Sequence, residues 1–215
     1  MNGPHLRYSQ GNAQARRFAP GFPAFAGFAD LGRPDLDSLA PLCAPGEMLL
    51  CAQWTGPVPR AWRVGFEGLA IQYVWEGRAP ASDPAPEAVR LGAAHTERMV
   101  ALVDLTKPGP FGPRSAELGE YYGLFEGERL VAMAGERLGA ERMREVSAVC
   151  THPDFQGRGL ARRLMEKVIR IQLARGDTPF LHVMAENARA RTLYEHMGFR
   201  QRCEVALRAV KLERS

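Results

Sequence analysis

Cysteine is scarce in this 215-residue chain and scattered where it occurs: Cys43, Cys51, Cys150 and Cys203 form no CxxC pair and no Cys/His ligand spacing. That argues against a disulfide frame and a metal site and for reduced, mostly buried thiols. Nowhere do roughly eighteen apolar residues run together, and "MNGPHLRYSQGNAQ" lacks the apolar stretch of a signal peptide. Neither a membrane span nor a leader is expected, and a cytoplasmic protein without a membrane partner is. Charge of one sign is lacking too. The 28 Lys+Arg against 24 Asp+Glu leave a net +4, which suits an anionic small ligand but is too weak to argue for nucleic acid. What remains is an ordinary globular balance, 46% hydrophobic and 24% charged, over a length that holds one large domain or two small ones.

The two halves differ in texture. Residues 1–87 are punctuated by Pro and Gly, as in "FAPGFPAFAGFADLGRP", with weak periodicity and a short apolar run at Met48–Ala52. "GRAPASDPAPE" (77–87) reads as a linker or extended connection. From residue 88 the signals sharpen. Ala88–Leu91 is a candidate strand and Thr96–Thr106 a helix stopped by Pro108. Tyr121–Glu126 and Arg129–Leu138 read as a hairpin turned at Gly127-Glu128. Glu145–Thr151 is a strand with apolar residues on both faces, Val146, Ala148 and Cys150 on one and Val149 on the other, hence central. Leu160–Ala174 is a helix with a Leu160, Leu164, Val168, Ile171 stripe, and Pro179–Met184 a strand. A helix capped by Asn187 and ended by Gly198 follows, with one or two strands over Phe199–Leu212 to close. The pattern predicts an α/β (α+β) fold whose mostly antiparallel sheet is flanked by helices, with a less regular N-terminal half.

The chemistry gathers at "THPDFQGRGLARRLM" (151–165). A strand ends, a short loop follows, and a helix begins behind Gly157 and Gly159, where Ser, Thr, Asp or Asn would cap more favourably. The first turn of a helix presents backbone N–H groups without partners, and its dipole favours an anion there. Two residues without side chains let a phosphate approach that backbone, and Arg158, Arg162 and Arg163 add charge nearby. The segment is not a Walker A loop, lacking GK[ST], nor a dinucleotide GxGxxG.

"QGRGLA" has a Q/R-x-x-G-x-G/A pattern, and "AENARARTLYEHMGF" (185–199) lies some thirty residues on. Together they resemble the GCN5-related N-acetyltransferase (GNAT) family, and "LTKPGPFGPR" with "VCTHPDFQGRGLARRLM" looks most like its FR47-like branch. The resemblance covers roughly residues 88–215. It implies acetyl-CoA as co-substrate and no metal, with the pyrophosphate held by the amides of Gln156, Gly157, Arg158, Gly159, Leu160, Ala161 and Arg162. The pantetheine arm would pair with the backbone of Val149, Cys150 and Thr151 where the central strand splays from its neighbour. Asn187 would touch that arm besides capping its helix. Residues 1–87 are expected either as an N-terminal region or as a degenerate partner domain of the same fold, beside a transferase domain at 88–215.

Acyl transfer to an amine needs a neutral nucleophile and a proton for the departing thiolate. By the resemblance Tyr194 supplies that proton; its place on an apolar helical stripe also suits a core aromatic. Glu145, eleven positions before Gln156, matches the family's glutamate base, or is a strand-end carboxylate paired with Arg137 or Arg144. His182 and His152 are alternatives. The resulting expectation is an N-acetyltransferase, monomer or homodimer, acting on a small-molecule amine by direct attack in a ternary complex. Its rivals are a protein N-terminal or lysine acetyltransferase and a non-catalytic acyl-CoA-binding module.

Overall fold

The computed structural model describes residues 3–54 and 56–213. Eleven strands form one sheet: β1 (Ser9–Gly11), β2 (Ala15–Phe18), β3 (Phe25–Phe28), β4 (Met48–Ala52), β5 (Trp62–Trp75), β6 (Val89–Leu91), β7 (Tyr121–Glu126), β8 (Arg129–Ala140), β9 (Met143–Thr151), β10 (Thr178–Met184) and β11 (Phe199–Leu212). Among the described residues three α-helices join them: α1 (Thr96–Thr106), α2 (Leu160–Ala174) and α3 (Ala188–Met197). The strand order is β1-β2-β3-β4-β11-β5-β10-β9-β8-β7-β6. Pairing is antiparallel except at β3–β4 and β9–β10. No helix among the described residues is long and apolar enough to cross a membrane.

The texture change near residue 87 does not mark a break in the sheet. Strand β5 pairs with β11 on one side and β10 on the other, so a segment from the less regular half is a central strand. Residues 77–87 are likewise held down: Ala85 is fully buried, Lys167 pairs with Asp83, and Arg163 donates to the Pro84 carbonyl at 2.9 Å. Arg163 also pairs with Glu87 at 2.6 Å, so its charge is engaged in fastening this connection to α2.

Two layers cover the sheet. On one face α2 and α3 pack Leu164, Met165, Val168, Ile169 and Met197 against Tyr73, Val131, Val146 and Leu181. The buried stripe of α2 is turned from the expected one: Leu160 and Ile171 are half-buried, and Gln172 is buried because its amide donates to Glu136 at 3.1 Å. On the other face α1 packs Met99, Leu102 and Val103 against Tyr121 and Met133. The tryptophans are core residues, Trp75 under the α2/α3 layer and Trp54 and Trp62 in a separate cluster with Leu36, Leu39 and Leu49.

The sheet curls until its N-terminal edge meets the far limb. Phe18, Phe22 and Phe25 pack with Leu118 and Leu138, the Arg114 N–H donates to the Gly21 carbonyl at 2.9 Å, and Tyr8 Oη to the Glu117 carbonyl at 2.8 Å. Because β5 pairs along its length with β11 and with Phe180–Met184 of β10, residues 88–215 alone would expose both edges. That fragment is expected to be unfolded or aggregated by circular dichroism and size-exclusion chromatography; a cooperatively melting monomer would contradict the single-sheet account.

Candidate active site

Strands β9 and β10 pair over three positions, Thr178–Met143, Pro179–Arg144 and Phe180–Glu145, and no register continues beyond Glu145. Between Val146–Thr151 and Leu181–Met184 the sheet opens. A cleft of about 740 Å³ passes through this gap, bordered by residues from both faces.

Strand β9 is bulged beside the gap. Met133 faces Cys150 and Gly135 faces Ser147, so Ala148 and Val149 together oppose Ala134, and Ala148 sits at φ +51°. One extra residue reverses the alternation of side chains. Val146 and Val149 therefore lie toward α2, while Ala148 and Cys150 face α1, which corrects the expectation that Val146, Ala148 and Cys150 share a face. The bulge also re-aims the backbone at Val149 toward the cleft wall, where Thr151 Oγ1 is buried with no hydrogen-bond partner among the described residues.

Past Thr151 the chain enters α2 through the glycine loop. Gly157 and Gly159 stand at φ +78° and +73°, and a Cβ built on either would meet nothing within 4 Å. A left-handed backbone explains why glycine is there, and the open space beside it is room for a ligand. Gly159 is the N-cap of α2 and brings no side-chain cap, so the first-turn N–H groups face the cleft. Gln156, Leu160, Ala161 and Arg162 border it as well. Arg158 does not: its guanidinium lies 4.6 Å over the Phe155 ring and donates to the Asp154 carbonyl at 3.3 Å. An extended acyl thioester with a pyrophosphate fits these features, the anion at the α2 entrance and the arm along the unpaired Thr151 hydroxyl and bulged backbone.

Helix α3 forms the opposite wall with Asn187, Arg189, Ala190, Leu193 and Tyr194. Asn187 Oδ1 accepts the Ala190 N–H at 3.1 Å and caps the helix. Burial pushes the Tyr194 phenol up to about 12, so it stays protonated at neutral pH.

Glu145 does not border the cleft; it is paired with Arg137, one of the two arginine partners expected for it, but inside the protein and not at a solvated strand end. It is 0% exposed and closed in by two side chains that do border the cleft, Arg137 and His182. A second bulge sets Arg137 and Leu138 opposite Glu145. Arg137 Nε and Nη2 donate to the carboxylate at 3.0 and 2.9 Å, the Leu138 N–H at 3.2 Å, and His182 Nδ1 lies 2.8 Å from Oε1. Burial alone would raise the carboxyl pKa, but the Arg137 charge and the His182 and Arg137 hydrogen bonds outweigh it and hold it at about 2. His182 Nε2 is 3.1 Å from Gln72 Nε2, whose own Oε1 accepts from Arg202 at 2.9 Å. With the Gln72 amide so oriented its N–H donates to Nε2, and Nδ1 carries the proton toward Glu145. His152 lies outside the cleft, paired with Arg129.

The motif residues singled out in the sequence that border the cleft line one side of it; those of the opposite side carry no motif. Phe25, Leu50, Ala52, Ala70, Val205 and Leu207 border the cleft from β3, β4, β5 and β11. The alternation within Met48–Ala52 carried that signal, Leu49 and Cys51 buried and Leu50 toward the cleft, but nothing local says which cleft a strand faces.

A bulged, splayed strand pair and a glycine-turned helix entrance thus border one cleft, with room for an anion at its α2 end. Residues 121–208 match the model of the family described as FR47-like protein. The whole chain superposes on the crystal structure of a protein assigned to the GNAT acetyltransferases from Novosphingobium aromaticivorans, with TM-score 0.88, 35% identity, and 99% of this chain and 94% of that one covered. The chain belongs to the GCN5-related N-acetyltransferase (GNAT) family. Shorter segments resemble a mycothiol acetyltransferase of Beutenbergia cavernae, 48% identical over 56 residues, and the N-alpha-acetyltransferase RimI of Mycobacterium tuberculosis, 37% identical over 84. These matches take in 26% and 38% of this chain, and span 19% and 52% of the respective relatives.

The Glu145 network ties stability to pH. A carboxyl held below its unfolded pKa of about 4.3 stabilises the fold above that pH, and the contribution is lost as pH falls toward 2. Glu145→Gln leaves Arg137 buried without its counter-charge, at a cost of about 3–5 kcal/mol in urea unfolding. The same variant is expected to flatten the fall in stability between pH 5 and 2; an unchanged acid limb would contradict the network.

Proposed function

We propose that this chain transfers an acetyl group from acetyl-CoA to the amine of a small molecule, by direct attack while both substrates are bound. The observation that carries the reading is the cleft's two-sided access: Tyr194 and the glycine loop border it from the α2/α3 face, His182 from the other. A donor lying along Val149–Thr151 with its pyrophosphate at Gln156–Arg162 brings its thioester into the gap, and an amine arriving from the opposite face meets it there. The amine nitrogen attacks the carbonyl carbon, the carbon–sulfur bond breaks, and sulfur takes the Tyr194 hydroxyl proton. A phenol at about 12 is protonated and available throughout the neutral range, and the apolar surroundings that raise it also raise the basicity of the departing thiolate.

Glu145 acts in this reading through His182. The buried carboxylate holds Nδ1–H, which leaves Nε2 as the acceptor for a proton leaving the amine, in place of the Gln72 contact. The proton returns through solvent to the Tyr194 phenolate, so one amine N–H is exchanged for one thiol. The names of the two relatives, a mycothiol acetyltransferase and an N-alpha-acetyltransferase, point to different acceptors, so neither decides the one used here.

Tyr194→Phe removes the donor hydroxyl and keeps the ring against Phe199. Acetyl-CoA affinity by calorimetry should stay unchanged while kcat falls about ten- to a thousandfold, the range for losing a positioned acid. Full turnover with the native pH profile would return Tyr194 to the core.

His182→Gln is expected to lower kcat/KM most near neutral pH, with partial recovery at high pH as the free amine accumulates. A loss independent of pH would make His182 a purely structural partner of Glu145.

A further inference from the structure

We infer that the acceptor is a compact primary amine with an apolar body, held in a chamber built largely by the N-terminal strands. The inference rests on the acetyl-transfer reading and names the substrate class of that same cleft.

The chamber follows from sheet register. Directly opposed residues share a face, and so do residues two apart on one strand. Phe25 faces Leu50, Ala52 faces Leu207, and Val205 faces Ala70, which faces Met184. His182, two residues before Met184, lies on that same face. One apolar surface thus runs across β3, β4, β11, β5 and β10 and ends at the histidine beside the gap. The opposite face of β4 is already used, since Leu49 and Cys51 pack into the cluster around Trp54 and Trp62. The curl of the sheet brings the Arg137 guanidinium to 4.9 Å from the Phe25 ring, closing the surface into a pocket. The surface continues outward to Phe66, opposite Ala209, and to Met48, two residues before Leu50; these are 42% and 47% exposed. An exposed apolar rim leading into an apolar wall is the lining expected for an apolar guest.

Charge disfavours a basic polypeptide acceptor. Among the described residues bordering the cleft there is no Asp or Glu, while Lys107, Arg137, Arg162 and Arg189 all border it. The carboxylate of Glu145 is sealed behind Arg137 and His182. A basic polypeptide tail would find no counter-charge in such a cleft. An amine with one nitrogen and a hydrocarbon body needs none, because it is gripped by its body and deprotonated at His182.

The test uses the full chain with saturating acetyl-CoA and thiol release as readout. Over alkyl and arylalkyl primary amines of matched basicity, kcat/KM is expected to rise about fourfold per added methylene until the chamber is full. Leu207→Asp should lower kcat/KM for the best amine by about thirtyfold or more, and Phe25→Ala by about tenfold, mainly through KM. Both should keep the parent's acetyl-CoA affinity, which also shows that they fold. Faster acetylation of a lysine peptide or a peptide α-amine than of every apolar amine overturns the inference. So does an unaltered Leu207→Asp, or a flat response to amine size with a preference for longer acyl donors, which would give the chamber to the acyl chain. Absence of acetyl-CoA binding by the parent would instead remove the transfer reading itself, and this inference with it.

Discussion

Everything at the candidate site depends on how briefly β9 and β10 hold together. Three parallel positions fix the two strands at Glu145–Phe180, and beyond them each strand is retained only by its outer neighbour, β9 by β8 and β10 by β5. Backbone groups inside a sheet are normally consumed by the ladder. Parting the strands frees a stretch of β9 from that demand while leaving it anchored on its other edge. The bulge at Ala148 adds a turn of direction at the same place, and the glycine loop follows within a few residues. On the proposed reading, one continuous segment, 149–162, would hold both the donor's arm and its phosphates.

The parting is secured at its apex by charge. Glu145 stands at the last paired position, and its carboxylate joins β8, β9 and β10 through Arg137, the Leu138 N–H and His182. A lone buried carboxylate would be costly, and a lone buried guanidinium equally so; together they neutralise one another at the point where the strands diverge. On the proposed reading the same group orients the histidine on the acceptor side. One residue then serves both the geometry of the gap and the chemistry in it.

Much of this was legible in the sequence, and the unevenness has physical causes. α1 and α2 fall at Thr96–Thr106 and Leu160–Ala174 as expected, because periodicity and punctuation at Pro108 and Gly176 are local signals. The motif residues came with their spacing, and Gly157, Gly159, Asn187 and Tyr194 do border a single cleft. What could not be read was register. The bulge that turns Ala148 and Cys150 toward α1 has no local mark, and the burial of Glu145 depends on a guanidinium eight residues away and an imidazole thirty-seven away. The place of residues 1–87 in the sheet was hidden for a similar reason: β5 looks irregular in isolation, and its partners β10 and β11 lie more than a hundred residues later.

If acetyl-CoA binds along the segment between the parted strands and the α2 entrance, amide hydrogen exchange locates it there without assuming an acceptor. On adding acetyl-CoA to the full chain, peptides covering 149–151 and 156–162 should gain protection, together with those around Asn187 and Tyr194, while α1 and β1–β2 stay unchanged. Protection confined to other parts of the chain, or none at saturating ligand, would contradict the account.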